Sequence, residues 1–242
     1  MDFIKKHGIN GNALKIIAAL TMLIDHIGYI FFPEIDLLRI IGRISFPIFA
    51  FMIAEGCEYT KNKLRYFLTI FLLGAFCQLV YFIIDGSVYL GILITFSLSI
   101  VAIYALQNLK NAILKKKNII ISSLLFIVVI GAIYVLNVFA HVDYHFFGCM
   151  APFFASIFRK PKLSTSKIWQ TLDNNVLHVF MLSICLMFVW LSSGQKQIYA
   201  LLAIPFLLLY SGKKGKLNLK DFFYIFYPAH LAILQGIAVL LY

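Results

Sequence analysis

Asp25, His26, Arg39, Arg43 and Glu55 stand inside the two apolar runs that make up the stretch from Thr21 to Gly56. A charge at the centre of a membrane helix costs at least about 2.5 to 3.5 kcal/mol, so such groups face a bundle interior or a wet cavity and mark a function. A neutral imidazole at that depth, here His26, suits taking a proton from a hydroxyl or amine nucleophile. A guanidinium beside it, Arg43 with Arg39 in support, suits binding an anionic donor or balancing charge that develops in a dry site. The plainer alternative is that Arg39 and Arg43 snorkel to an interface while Asp25 neutralises one of them. His230, deep in the last apolar run, is a further candidate; its plainer role is a hydrogen bond between helices.

Spacing restricts which of these groups can meet. Arg39 and Arg43 are four apart and share a helix face. Asp25 and His26 are adjacent and diverge by about 100° around a helix, so both cannot point straight at one partner. The consistent arrangement has His26 facing the reaction and Asp25 pairing with Arg39 or Arg43, which leaves neither charge uncompensated. At 1.5 Å per residue, His26 lies about 20 Å along the first span, Arg43 about 9 Å below the outer end of the second, and His230 about 14 Å from the cytoplasmic face.

The elements that must hold them are membrane helices. Of 242 residues, 62% are hydrophobic and 13% charged, where a soluble domain carries about 25% charge. The expected fold is an all-α, polytopic helical membrane protein, one integral membrane domain over 1–242, multi-pass in a bacterial cytoplasmic membrane. Windows long and apolar enough to approach a bilayer crossing fall at 13–32, 37–58, 64–84, 88–109, 118–140, 143–158, 175–193, 197–211 and 221–242, about nine spans, of which the sixth and eighth are short. The gaps alternate. Lys5-Lys6, then Lys61, Lys63 and Arg65, then Lys110 with Lys115 to Lys117, then Arg159 to Lys167, then Lys213 to Lys220 are basic; those at Pro33 to Asp36, Asp85-Gly86, His141 to Asp143 and Ser192 to Gln197 are not, Lys196 excepted. The positive-inside rule puts the N-terminus in the cytoplasm and the C-terminus outside. It also accounts for the net charge of +11 without a nucleic-acid partner.

Other signals are weaker. Cys57, Cys77, Cys149 and Cys185 lie in apolar runs without metal or disulfide spacing and read as packing residues. The first run carries Asp25 and His26 with no cleavage pattern after it, so it is expected to be retained as a span. The cluster His141-Val142-Asp143-Tyr144-His145 lacks a helical histidine pair and reads as a wet loop rather than a metal site. No phosphate loop, HExxH or GxSxG motif is present in the sequence.

The sequence resembles the TraX family of integral membrane proteins and, beyond it, the broader superfamily of transmembrane acyltransferases. The matching words are Asp25-His26-Ile27-Gly28; Ile41-Gly42-Arg43-Ile44-Ser45-Phe46-Pro47-Ile48-Phe49-Ala50-Phe51 with Glu55-Gly56; Asp143-Tyr144 with Gly148; and Phe223-Tyr224-Ile225-Phe226-Tyr227-Pro228-Ala229-His230-Leu231. One position departs: His145 stands where a glycine would follow Asp-Tyr. The resemblance implies an acetyltransferase. The family's founding member is linked to N-terminal acetylation of pilin subunits, and related membrane acyltransferases carry acetyl groups from cytoplasmic acetyl-CoA to sugars or polymers across the membrane. Carried over residue by residue, His26 matches the proposed catalytic histidine, Arg43 the motif arginine and His230 the histidine of the final span; the expected site is then His26, Asp25 and Arg43 as catalytic residues, with Arg43, Arg39, His230, Tyr227 and Glu55 around the donor.

Two classes of function follow. In the first, the acetyl group of acetyl-CoA passes to an extracytoplasmic glycan, polymer or protein acceptor, directly with His26 as base or through an acetylated His26. The cytoplasmic lysine and arginine clusters then attract the donor's phosphates, or act as orientation signals alone. In the second, Asp25, His26, Arg43, Glu55 and His230 form a proton or ion pathway of a transporter or channel.

Overall fold

A computed structural model describes residues 2–217 and 219–241, and for Asp2, Ile84, Asp85, Lys220 and Asp221 the backbone alone. The charges of Asp85 and Lys220 in the loop alternation, and Tyr242 at the end of the last window, lie outside the described residues and side chains.

A short helix α1 (Asp2–His7) precedes α2 (Gly11–Ile30). Asn10 starts α2 by accepting from the Ala13 amide at 3.0 Å, which satisfies one of the donors a helix start leaves open. α3 (Asp36–Gly42) and α4 (Ser45–Tyr59) are one apolar stretch broken at Arg43 and Ile44. Pro47 explains the break: it has no amide proton for the Arg43 carbonyl four residues back, and its ring would strike that oxygen. α5 (Lys63–Asp85) is capped by Asn62, whose side chain accepts from the Arg65 amide at 2.9 Å, and stops at Gly86 with φ 64°. Lys116 and Asn118, both at positive φ, turn α6 (Ile92–Lys115) into α7 (Ile119–Phe139). There follow α8 (His145–Ser156), α9 (Lys167–Leu172), α10 (Asn175–Ser193), a 3₁₀ segment Gln195–Ala203, α11 (Ile204–Leu208) and α12 (Lys220–Leu241). Among the described residues there is no strand, only isolated bridges of Ile9 with Tyr210 and Leu90 with Val142.

The chain is an all-α polytopic membrane protein. Among the described residues seven helices are long and apolar enough to cross a membrane: Gly11–Ile30, Asp36–Tyr59 counted across its break, Lys63–Ile83, Ile92–Lys115, Ile119–Phe139, Asn175–Ser193 and Phe222–Leu241. Nine windows were apolar enough in the sequence; the other two take a different form. The sixth becomes α8, whose 12 residues reach about 18 Å, short of a hydrocarbon core of about 30 Å. The eighth becomes the 3₁₀ segment and α11, also short. α8 is apolar because it is core: Gly148 to Pro152, Ala155 and Ser156 are buried, and it packs against α6 and α10. α7 is the opposite case, most of its side chains turned outward as lipid contact requires, with Ile120 and Phe139 largely exposed.

Packing gathers the chain into two compact units, Met1–Met52 with Gly194–Tyr242, and Ile53–Ser193. The first unit is fastened where α2 begins. The Gly11 and Asn12 amides donate to the Lys213 and Lys214 carbonyls at 2.7 and 3.0 Å, and Asn12 Nδ2 donates to the Leu217 carbonyl at 2.6 Å. This clasp sets α12 beside α2. In the same unit Lys196, the cation that broke the charge alternation, is ion-paired with Asp36. In the second unit hydroxyl groups knit α6 to α8: Ser99 Oγ donates to the Cys149 carbonyl at 2.7 Å, and Thr95 Oγ1 to the Asp143 carbonyl just before α8, at 3.0 Å. All four cysteines are buried and free.

Candidate functional site

The loop between α2 and α3 is short, so the two helices lie against each other, and one close approach is at Gly42. A side chain there would occupy the space filled by the Asp25 carboxylate and its Cβ. With only hydrogen at Gly42, Asp25 reaches both arginines. Arg39 Nη1 donates to Asp25 Oδ2 at 2.7 Å and to the Asp25 carbonyl at 3.1 Å. Arg43 Nη2 donates to Oδ1 at 2.7 Å and Oδ2 at 3.0 Å. Arg43 is the more enclosed, its side chain 8% exposed against 24% for Arg39, which lies over the Tyr29 ring. Charge-assisted bonds of this kind are the strong ones. Two guanidiniums on one carboxylate leave the group with one net positive charge.

One residue on, His26 takes a different orientation. Its Nδ1 lies 2.8 Å from the Met22 carbonyl. A carbonyl only accepts, so Nδ1 carries the proton, and in the neutral ring Nε2 holds the lone pair. His230 on α12 repeats the device: Nδ1 is 2.8 Å from the Phe226 carbonyl. Its Nε2 is buried without a hydrogen-bond partner among the described residues. The two rings meet edge to face with centroids 5.0 Å apart. Phe226 stacks on His230 at 5.0 Å, and Tyr227 meets it edge-on at 5.8 Å. Two imidazoles thus stand together with the same tautomer fixed from behind and their basic nitrogens available, an arrangement able to accept or pass a proton.

Of the residues singled out in the sequence, the first unit therefore brings together Asp25, Arg39 and Arg43 on one side, and His26, His230 and Tyr227 on the other. Glu55 belongs to the second unit, where it is buried and ion-paired with Arg159. Near Arg159, His178 Nε2 lies 3.1 Å from Asp173 Oδ1. Burial works against the Asp173 carboxylate, yet the His178 contact, the Lys160 amide and the positive charge of Arg159 together hold its pKa below the usual value. His178 and the carbonyls of Met22 and Phe226 were not singled out in the sequence, Arg159 was counted only as a loop charge, and Gly42 only as part of a matching word. A glycine in an Ile-Gly-Arg word and a histidine four residues after each carbonyl were the available signals.

The His141-to-His145 loop is built around backbone geometry. Tyr89 Oη donates to Asp143 Oδ1 at 3.0 Å, and burial together with that carboxylate raises the Tyr89 pKa, so the phenol stays a donor. Tyr144 and His145 both sit in the left-handed region, φ 58° and 54°. His145 departs from the expected glycine at a position whose conformation favours glycine. Among the described residues no group of three His, Cys, Asp or Glu side chains is placed to hold a metal ion.

By architecture this is a multi-pass helical membrane protein with ionisable side chains paired inside its spans. Comparison narrows that class, since the TraX protein family model matches residues 10–238. The chain belongs to that family. It is 24% identical over 246 residues to the probable fimbrial assembly protein FimC, serogroup H1, of Dichelobacter nodosus, covering 91% of this chain and 92% of that one. It is also 46% identical over 52 residues to an uncharacterised protein of Rickettsia prowazekii (strain Madrid E); that match spans 22% of this chain and 21% of the relative's length. No solved structure matches the chain at a significant level.

Proposed function

We propose that the protein is a membrane-embedded acetyltransferase of the transmembrane acyltransferase type. It would move an acetyl group from cytoplasmic acetyl-CoA to an extracytoplasmic hydroxyl or amine acceptor, with the N-terminus of the chain cytoplasmic and the C-terminus outside. The observation that carries the reading is the tautomer of His26: with its Nδ1 proton given to the Met22 carbonyl, Nε2 is the basic atom. Nε2 takes the proton of the acceptor O–H or N–H while the acceptor's lone pair forms a bond to the acetyl carbonyl carbon. The carbon–sulfur bond then breaks with its electron pair on sulfur, and the proton held at His26 passes to the thiolate. The net positive charge of Asp25 with Arg39 and Arg43 is suited to the developing oxyanion. His230, beside His26, is suited to share its proton. The name of the D. nodosus relative favours a fimbrial setting, and with it a protein N-terminus as acceptor; a glycan or polymer acceptor has the same chemistry.

The test is transfer of labelled acetyl from acetyl-CoA to extracytoplasmic material by intact membranes, wild type against His26→Ala at matched protein levels. Transfer that depends on His26 supports the reading. Full activity of His26→Ala removes that residue from the mechanism. Proton or substrate flux in proteoliposomes without acetyl-CoA favours a transporter.

A further inference from the structure

An open cleft lies in the second unit, well apart in sequence from the histidines, with about 380 Å³ of space counted out into solvent, and its lining is mostly cationic: Lys63, Lys110, Arg159, Lys160 and Lys162, with Glu58 the one carboxylate. Two of the cations are already committed. Lys110 Nζ spends its three donors on the carbonyls of Ser156, Ile157 and Arg159, at 3.2, 2.7 and 3.0 Å, closing the end of α8 where carbonyls are left open. Arg159 is paired with Glu55. Three lysines remain against Glu58. Lys63 is held by Gln107 Oε1 at 2.6 Å and over the Tyr104 ring, while Gln107 Nε2 donates to Glu58 at 3.3 Å. Lys160 and Lys162 make no ion pair among the described residues.

Orientation of the chain in a membrane requires lysines along one edge. It does not require them to converge on a concave space, nor to be fixed there by a carboxamide and an aromatic ring. Like charges gathered in a cleft repel one another and attract a counter-ion. A second feature refines the ligand: Asn111 Oδ1, also on the cavity, is buried with no hydrogen-bond partner among the described residues, an acceptor awaiting a donor.

We infer that this cavity binds a phosphate-bearing ligand, its phosphate on Lys63, Lys160 and Lys162 and an N–H or O–H of the same molecule on Asn111. Lysine is a regular phosphate binder. The inference stands whether or not the chain transfers acetyl groups; phosphates of a nucleotide such as coenzyme A and those of an anionic lipid headgroup share the chemistry.

The experiment is calorimetric titration of free coenzyme A into the full chain in phosphatidylcholine nanodiscs, with a second arm in phosphatidylglycerol nanodiscs read by thermal unfolding. Lys162→Gln, at an exposed position, and Lys160→Gln with Lys162→Gln are compared with wild type and His26→Ala. Coenzyme A binding weakened about tenfold or more by the lysine variants, and equal in His26→Ala, supports a nucleotide ligand. Stabilisation by phosphatidylglycerol alone, lost in the same variants, supports the cavity with a lipid headgroup as the source. Neither response, or a response untouched by both lysine variants, overturns the inference. Failure of the acetyltransferase reading would look different: coenzyme A binds as described, yet no acetyl is transferred.

Discussion

His26 and His230 meet with ring centroids 5.0 Å apart and planes inclined at 71°, and each gives its Nδ1 proton to the carbonyl four residues back in its own helix. Among the described residues neither ring has a carboxylate hydrogen-bonded to its Nδ1. The backbone of α2 and of α12 does the orienting, so the pair depends on both helices holding their register.

The first prediction concerns the two rings. His26→Ala should lower acetyl transfer about a hundredfold or more, the usual worth of a positioned general base. His230→Ala should also lower it if the proton is shared. Rates in membranes with matched protein levels decide; a His230→Ala enzyme with wild-type rate and pH profile would leave His26 acting alone.

Asp25→Ala removes the carboxylate between two guanidiniums. Breaking a buried pair from one side costs about 3 to 5 kcal/mol, and partial exposure of Arg39 should keep the loss near the bottom of that range. Arg43→Gln should cost more than Arg39→Gln, because Arg43 is more deeply enclosed. Thermal unfolding in one lipid composition ranks the three.

Gly42→Ala should destabilise by about 1 to 3 kcal/mol, the range for overfilling a packed contact, because the new methyl group meets Asp25. Gly131→Ala in α7 is the control. No atom stands within 4 Å of a methyl group there, so better helix propensity should stabilise by up to about 1 kcal/mol. Equal effects would mean that the α2–α3 contact is looser than described.

In the loop before α8, His145→Gly should leave stability unchanged or raise it by up to about 1 kcal/mol, since left-handed backbone costs a side chain about 1 to 2 kcal/mol and glycine returns part of that as entropy. Gly148→Ala should destabilise, its methyl group running into Tyr144. Unfolding midpoints of both variants test the loop geometry without any assay of activity.

Much of this was legible because charge in an apolar run is conspicuous. Asp25, Arg39 and Arg43 fall close in sequence, and four-residue spacing put the arginines on one face; the structure adds that Asp25 engages both. The contact of His26 with His230 had no such signal, since it joins helices at opposite ends of the chain through no repeat or period. Glu55 was grouped with Arg43 by nearness in sequence, whereas its ion-pair partner Arg159 had been counted among loop charges. The sixth window failed to reach span length for a physical reason: a helix buried in protein is as apolar as one in lipid, and hydropathy does not separate the two.

The clasp between Asn12 and the segment ending at Leu217 has a consequence in time. Ile53–Ser193 is one continuous piece of chain, complete before α12 is made, whereas α2 emerges early and must wait for α12. A chain stopped short of α12 would carry every lysine of the basic cavity and no pair of imidazoles. On the proposed reading, proton transfer at those rings begins only once α12 has been made and has packed beside α2.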